Sequence, residues 1–138
     1  MATVLLVDDD RLVLRLCSYI LVDIIGLSVL QAADGNEAVE VANRHGDTIH
    51  LLISDVIMPG GLNGFQLAET LTAIRPEMKV LLMSGISQDA ATLDPTWHFI
   101  SKPFRPDAFI SKIEEVLGRK RQPQSEGAKK TSKGRASA

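Results

Sequence analysis

Three stretches of this chain end in groups able to handle metal ions and phosphate. Asp55 follows Leu51-Leu52-Ile53-Ser54, Asp8-Asp9-Asp10 follows Val4-Leu5-Leu6-Val7, and Lys102 comes just after an apolar stretch running from Trp97 to Ile100. An apolar run closed by an ionisable residue is the pattern of a buried strand whose C-terminal tip emerges at the surface. Carboxylates at two tips and an ammonium at a third are what is needed to hold a divalent cation beside a phosphorylatable aspartate. Asp10 also suits a helix N-cap, but one helix does not need three capping aspartates.

The elements that must position these groups alternate along the chain. Residues 4–7, 28–31, 51–54, 80–83 and 97–100 read as strands, and all but 28–31 are near-continuous apolar runs. Helical periodicity occupies residues 11–25, 36–45, 65–74 and 106–117, with a short stretch near 88–93. Gly26, Gly46 and Gly118 stand where helices should stop, Arg75-Pro76 breaks a third, and Pro106 opens the last. Five strands alternating with helices predict a doubly wound parallel five-stranded sheet, a flavodoxin-like (βα)5 fold with strand order 2-1-3-4-5. In that order the C-terminal ends of the first and third strands flank the switch point where ligands bind, and Asp8, Asp9 and Asp55 sit at those two ends.

The 138 residues are 45% hydrophobic and 23% charged, an ordinary globular balance for one domain. Cys17 is the only cysteine, so no internal disulfide forms, and no secretion signal is visible. The most apolar helical stretch, residues 12–25, is interrupted by Arg15 and Asp23 and is too short to span a bilayer, so no membrane association is expected and the location is read as cytoplasmic. Charge is unevenly divided. Residues 1–118 hold eight basic and sixteen acidic side chains, whereas residues 119–138 hold seven basic and one acidic. The expected organisation is therefore one domain over 1–118 and a basic, disordered tail over 119–138. The tail carries no aromatic residue to stack on bases, and nucleic acid is not the partner expected. His45, His50 and His98 share no metal-ligand spacing.

Four strings in this order, Val7-Asp8-Asp9-Asp10, Ser54-Asp55-Val56-Ile57-Met58-Pro59-Gly60, Met83-Ser84-Gly85 and Phe99-Ile100-Ser101-Lys102-Pro103-Phe104, resemble the receiver domain of bacterial two-component response regulators. The resemblance covers residues 2–118. It implies that Asp55 is the phosphoryl acceptor and that the donor is a phosphohistidine on a sensor histidine kinase or phosphotransfer protein. It further implies that Mg2+ is held by Asp9, Asp55 and the backbone carbonyl of Ile57, with Asp8 orienting the ligands. Lys102 and Ser84 would bind the phosphoryl oxygens, Ser84 and Phe99 would form the switch pair, and the Lys102–Pro103 bond would be cis. The implied function is a single-domain regulator that phosphorylates itself, loses the group slowly and switches binding to a downstream protein. Relay carriage, or a receiver-like module without phospho-switching, is the alternative.

The chain departs from the family pattern in two places. Lys102 follows Ser84 by only 18 positions, so the fourth helix is expected to be shortened or irregular. The loop Pro59-Gly60-Gly61-Leu62-Asn63-Gly64 is one residue longer than the common form. Ile57 and Ile86, each two residues beyond a site residue, are expected to restrict the attacking water and prolong the phosphoryl group's life. A different class, a phosphohydrolase with an aspartyl nucleophile, calls for an Asp-x-Asp pair after the first strand with the nucleophile there. Here the strongest nucleophile candidate stands on the third.

Overall fold

The structure is a computed structural model that describes residues 2–45, 48–85 and 94–118. Its centre is a five-stranded sheet of β1 (Thr3–Val7), β2 (Ser28–Ala32), β3 (Ile49–Asp55), β4 (Lys79–Ser84) and β5 (His98–Ser101), every neighbouring pair parallel and the order β2-β1-β3-β4-β5. This is the expected flavodoxin-like order. Around it lie α1 (Arg11–Tyr19), α2 (Gly35–His45), α3 (Gly64–Ile74) and α4 (Pro106–Leu117). The shortened fourth helix expected after Gly85 falls on residues 86–93, and the basic tail on 119–138; both lie outside the described residues.

Successive strand residues feed opposite faces, so the apolar runs serve two cores. Leu5, Val7, Leu52, Val80 and Leu82 pack with Ala38, Val41, Leu67 and Leu71 of α2 and α3. Val4, Leu6, Leu51, Ile53, Leu81 and Met83 pack with Leu14 and Cys17 of α1 and with Phe109, Ile113 and Val116 of α4. Val4, Leu5, Leu6 and Val7 are all without exposed surface, which explains why β1 shows no polar alternation. β2, at the sheet edge, exposes Ser28 and Gln31 and reads weakly for that reason.

Helix ends follow the local chemistry. Asp10 caps α1 by accepting from the Leu12 amide at 2.9 Å, and Asn63 with Gln66 forms a reciprocal capping box on α3. Gly118 closes α4 at φ 69°. Among the described residues, the first helix departs from the expected form. Instead of a single α-helix over 11–25, winding changes after Tyr19 to a π-helical segment, Ile20–Ile25, ending at Gly26 with φ 92°. The Leu21 carbonyl accepts from Gly26 N at 3.0 Å, five residues on, which is the wider spacing of that winding, and from Leu27 N at 2.8 Å as the chain leaves the helix. Ile20 and Leu21 stay buried through it.

Candidate functional site

The register of the sheet brings the three tips together. Val7 of β1 lies opposite Ser54 of β3, so the next residues, Asp8 and Asp55, leave the sheet side by side. On the other flank Ser84 of β4 lies opposite Ser101 of β5, and the Lys102 amide donates to the Ser84 carbonyl at 2.7 Å. The Lys102–Pro103 bond is cis.

Asp8 is held from three directions. Its amide donates to the Ala32 carbonyl at 3.2 Å, its Oδ1 accepts from the Asp10 amide at 2.8 Å, and its Oδ2 accepts from Lys102 Nζ at 2.9 Å. The same Nζ lies 3.3 Å from Asp55 Oδ2. Side-chain exposure falls from 22% at Lys102 to 13% at Asp55 and 0% at Asp8. The ammonium thus bridges two carboxylates, one buried and one facing the mouth, while Asp9 is exposed beside them. Oxygens of Asp8, Asp9 and Asp55 lie within 4.8 Å of one another.

Burial pushes the Asp8 carboxyl above its ordinary 3.8, against the lowering pull of the Asp10 amide and Lys102. For Lys102, burial works toward a lower value, but the hydrogen bond and charge of Asp8 and the charge of Asp55 outweigh it, and the ammonium is raised above 10.5. Burial also pushes the Cys17 thiol up to about 12, with Asp8's charge adding to it, so this cysteine is an inert part of the floor.

The remaining expected residues take these places. Ser84 is buried at the end of β4, and Phe99 is half-buried on β5, opposite Leu82 and against the α2/α3 core. Ile57 is exposed, directing an apolar side chain outward two residues after Asp55. The direct Asp8–Lys102 pair was not foreseen, because spacing in sequence does not say which carboxylate an ammonium will choose. Nor was the steric role of Gly64. Its amide donates to the Val56 carbonyl at 2.8 Å, and a Cβ there would collide with the Asp55 carbonyl and stand 2.8 Å from Val56 Cα. α3 therefore starts hard against the backbone that carries Asp55.

The donor set fits a hard divalent cation. All candidate ligands are carboxylate oxygens, they converge, and exposed Asp9 leaves room for the waters such an ion retains. Three carboxylates with one ammonium also leave the pocket net negative.

Comparison with known proteins places this fold and site in a class. The model of the response regulator receiver domain matches residues 4–114, and the chain belongs to that family. It is a receiver domain of the two-component type. Among curated proteins it is 32% identical over 120 residues to the sensor kinase CckA of Brucella abortus and 35% identical over 120 residues to the transcriptional regulatory protein GlrR of Escherichia coli K12. Each alignment covers 84% of this chain, but only 12% of CckA and 26% of GlrR. Among solved structures, the receiver domain of the hybrid histidine kinase CckA superposes with a TM-score of 0.70 at 32% identity, covering 84% of this chain and 99% of that one. Vibrio cholerae CheY4 superposes at 0.76 with 28% identity, covering 85% and 99%. No helix among the described residues is long and apolar enough to cross a membrane.

Proposed function

We propose that Asp55 accepts a phosphoryl group from a phosphohistidine of a sensor histidine kinase or phosphotransfer protein, and that the product state changes binding to a downstream protein. A carboxylate oxygen of Asp55 attacks phosphorus in line, the bond to the donor nitrogen breaks, and an acyl phosphate forms. A carboxylate nucleophile needs no general base to activate it. The observation that carries this reading is the placement of Lys102 Nζ, 3.3 Å from Asp55 Oδ2 and fixed from behind by buried Asp8 at 2.9 Å. That arrangement holds one positive charge where phosphoryl oxygens would gather, with no reorganisation required.

Asp9 and Asp55 would hold Mg2+, with the Ile57 carbonyl as a further ligand and Asp8 orienting them from behind. The ion would supply charge neutralisation at the phosphoryl oxygens. Asp8 positions Lys102 rather than meeting phosphate, since its two oxygens are already engaged by Asp10 and Lys102. Ser84, at the same edge of the pocket, would donate its hydroxyl to the phosphoryl group, and Phe99 on the adjacent strand would turn as Ser84 moves. The domain would act as a self-phosphorylating signal carrier.

Incubation with acetyl phosphate, followed by intact mass measurement, tests this reading. The expected result is one added phosphoryl group with Mg2+, none with EDTA and none in Asp55→Asn. Continuous release of inorganic phosphate without accumulation of a phosphorylated species would instead support the hydrolase reading.

A further inference from the structure

The loop after Asp55 carries the Ile57 carbonyl and runs through the lengthened stretch Pro59-Gly60-Gly61-Leu62-Asn63, so something must fix its course. Both of its ends are pinned. The Val56 amide donates to the Met83 carbonyl at 2.9 Å, and the Val56 carbonyl accepts from the Gly64 amide at 2.8 Å. Between them the chain turns at Gly60, with φ 84°, and brings half-buried Leu62 onto the α2/α3 core. What meets it there is the first turn of α2.

Gly35 opens that helix and is buried. A Cβ on Gly35 would stand 2.7 Å from the Leu62 carbonyl oxygen and 2.8 Å from Leu62 Cβ, closer than such atoms approach without bonding. Helix and loop therefore touch as they do because residue 35 has no side chain. The next residue, Asn36, lays its amide on Gly61, where a Cβ would lie 2.5 Å from Nδ2. The first turn of α2 cannot retreat, because it is tied back to the acceptor pocket. Asp34 Oδ1 accepts from the Glu37 amide at 2.8 Å, and Glu37 Oε1 accepts from the Ala33 amide at 2.7 Å, a reciprocal capping box. The neighbouring Ala32 carbonyl accepts from the Asp8 amide at 3.2 Å. A continuous run of bonded and packed groups thus leads from Asp8 around the pocket to Leu62.

We infer that the first turn of α2 braces the loop after Asp55, and that Gly35 is the positioning residue that sets where the Ile57 carbonyl stands. The inference rests on the proposed place of that carbonyl beside Mg2+. This ion demands near-ideal geometry of its oxygen ligands, so a loop pushed off its wall weakens binding while the fold persists. Gly35 and Leu62 act through the loop, since neither belongs to the ligand set.

Mg2+ titration of the full chain, followed by backbone amide NMR shifts around the pocket, tests it with four variants. Gly35→Ala presses a methyl group against backbone and is expected to raise the dissociation constant about tenfold, the usual cost of disturbing the support behind a metal ligand. Leu62→Ala adds no atom and removes the side chain that the loop presents to the core, and a smaller weakening is expected. Gly61→Ala places its methyl on the loop itself but meets only the exposed Asn36 amide, which can swing aside, so it should bind as wild type does. Ile113→Val loosens the core on the opposite face of the sheet and should leave the affinity unchanged. Circular dichroism checks that each variant is folded, and if Gly35→Ala is not, Leu62→Ala decides. Unchanged affinity in both Gly35→Ala and Leu62→Ala would overturn the inference and leave the proposed acceptor site standing. So would a loss that Ile113→Val shares, or one larger in Gly61→Ala than in Gly35→Ala. A wild type with no saturable Mg2+ response at the pocket would overturn the proposed site, and the inference with it.

Discussion

Replacing Lys102 by methionine separates the two duties of the ammonium, neutralising buried Asp8 and facing Asp55. Removing one member of a buried ion pair costs about 3–5 kcal/mol, because the other charge is left desolvated. Asp8 is fully buried, but the Lys102 side chain is 22% exposed and water can reach its place, which brings the cost to or below the bottom of that range, about 2–3 kcal/mol. For a domain of this size that corresponds to a fall in Tm of about 8–12 °C near neutral pH.

The pH dependence identifies the cause. The Asp8 carboxyl is raised above 3.8 in the folded protein, so stability declines as pH rises from 3.8 through its folded value and levels off above. Lys102 is among the influences that hold that value down. Without it the folded value climbs further, and the declining stretch reaches to higher pH. Lys102 itself is raised above 10.5, so its favourable contribution is complete below 10.5 and is lost only as pH rises through its folded value; it does not vary between pH 5 and 8. The penalty of Lys102→Met is therefore expected to be largest at pH 8 and to shrink toward pH 5. Thermal melts followed by circular dichroism in EDTA measure it. A penalty equal at pH 5 and pH 8 would refute the reasoning, as would an Asp8→Asn/Lys102→Met double variant no more stable than Lys102→Met alone.

Three further outcomes are expected. Mg2+ at ten times its dissociation constant should stabilise wild type by about 1.4 kcal/mol. Asp9→Asn should blunt that response while raising the metal-free Tm, since repulsion across 4.8 Å in a water-like medium is about 1 kcal/mol; calorimetry with and without the ion checks both. Gly64→Ala should destabilise by about 1–3 kcal/mol, because the added methyl meets backbone rather than a yielding side chain, and urea unfolding would show a lower midpoint. Cys17, with its thiol pushed up to about 12, should resist alkylation at pH 8 in the native protein and react promptly in denaturant; rapid native labelling would contradict the buried placement.

The strand tips were legible because each apolar run stops abruptly at an ionisable residue, and a sheet with both faces covered leaves no other place for those residues to emerge. The limits of α4 were equally plain from Pro106 and Gly118, which act through backbone geometry within a few residues. Less was visible where the outcome depends on partners distant in sequence. Residues 11–25 have helical periodicity throughout, yet the winding changes after Tyr19, where Ile20 and Leu21 are buried among partners distant in sequence. The outward turn of Leu12, Leu16 and Tyr19 was hidden for the same reason, since an apolar residue in a helix carries no mark of which face it joins. Lys102 was expected to face the acidic tips and does so, but its choice of buried Asp8 as the nearer partner is set by sheet register and side-chain reach. Gly64 could be read as a helix start; the need for a missing side chain came only with the backbone of Asp55 and Val56 packed against it.

The central claim is that sheet winding makes one carboxylate, Asp55, the acceptor while its acidic neighbours serve the ion and the lysine. Reductive trapping reads this directly: phosphorylation with acetyl phosphate and Mg2+, reduction of the acyl phosphate with borodeuteride, and peptide mapping by mass spectrometry. The expected result is deuterated homoserine in place of Asp55 alone. Label at Asp8, at Asp9 or on a carboxylate outside the pocket would contradict the account.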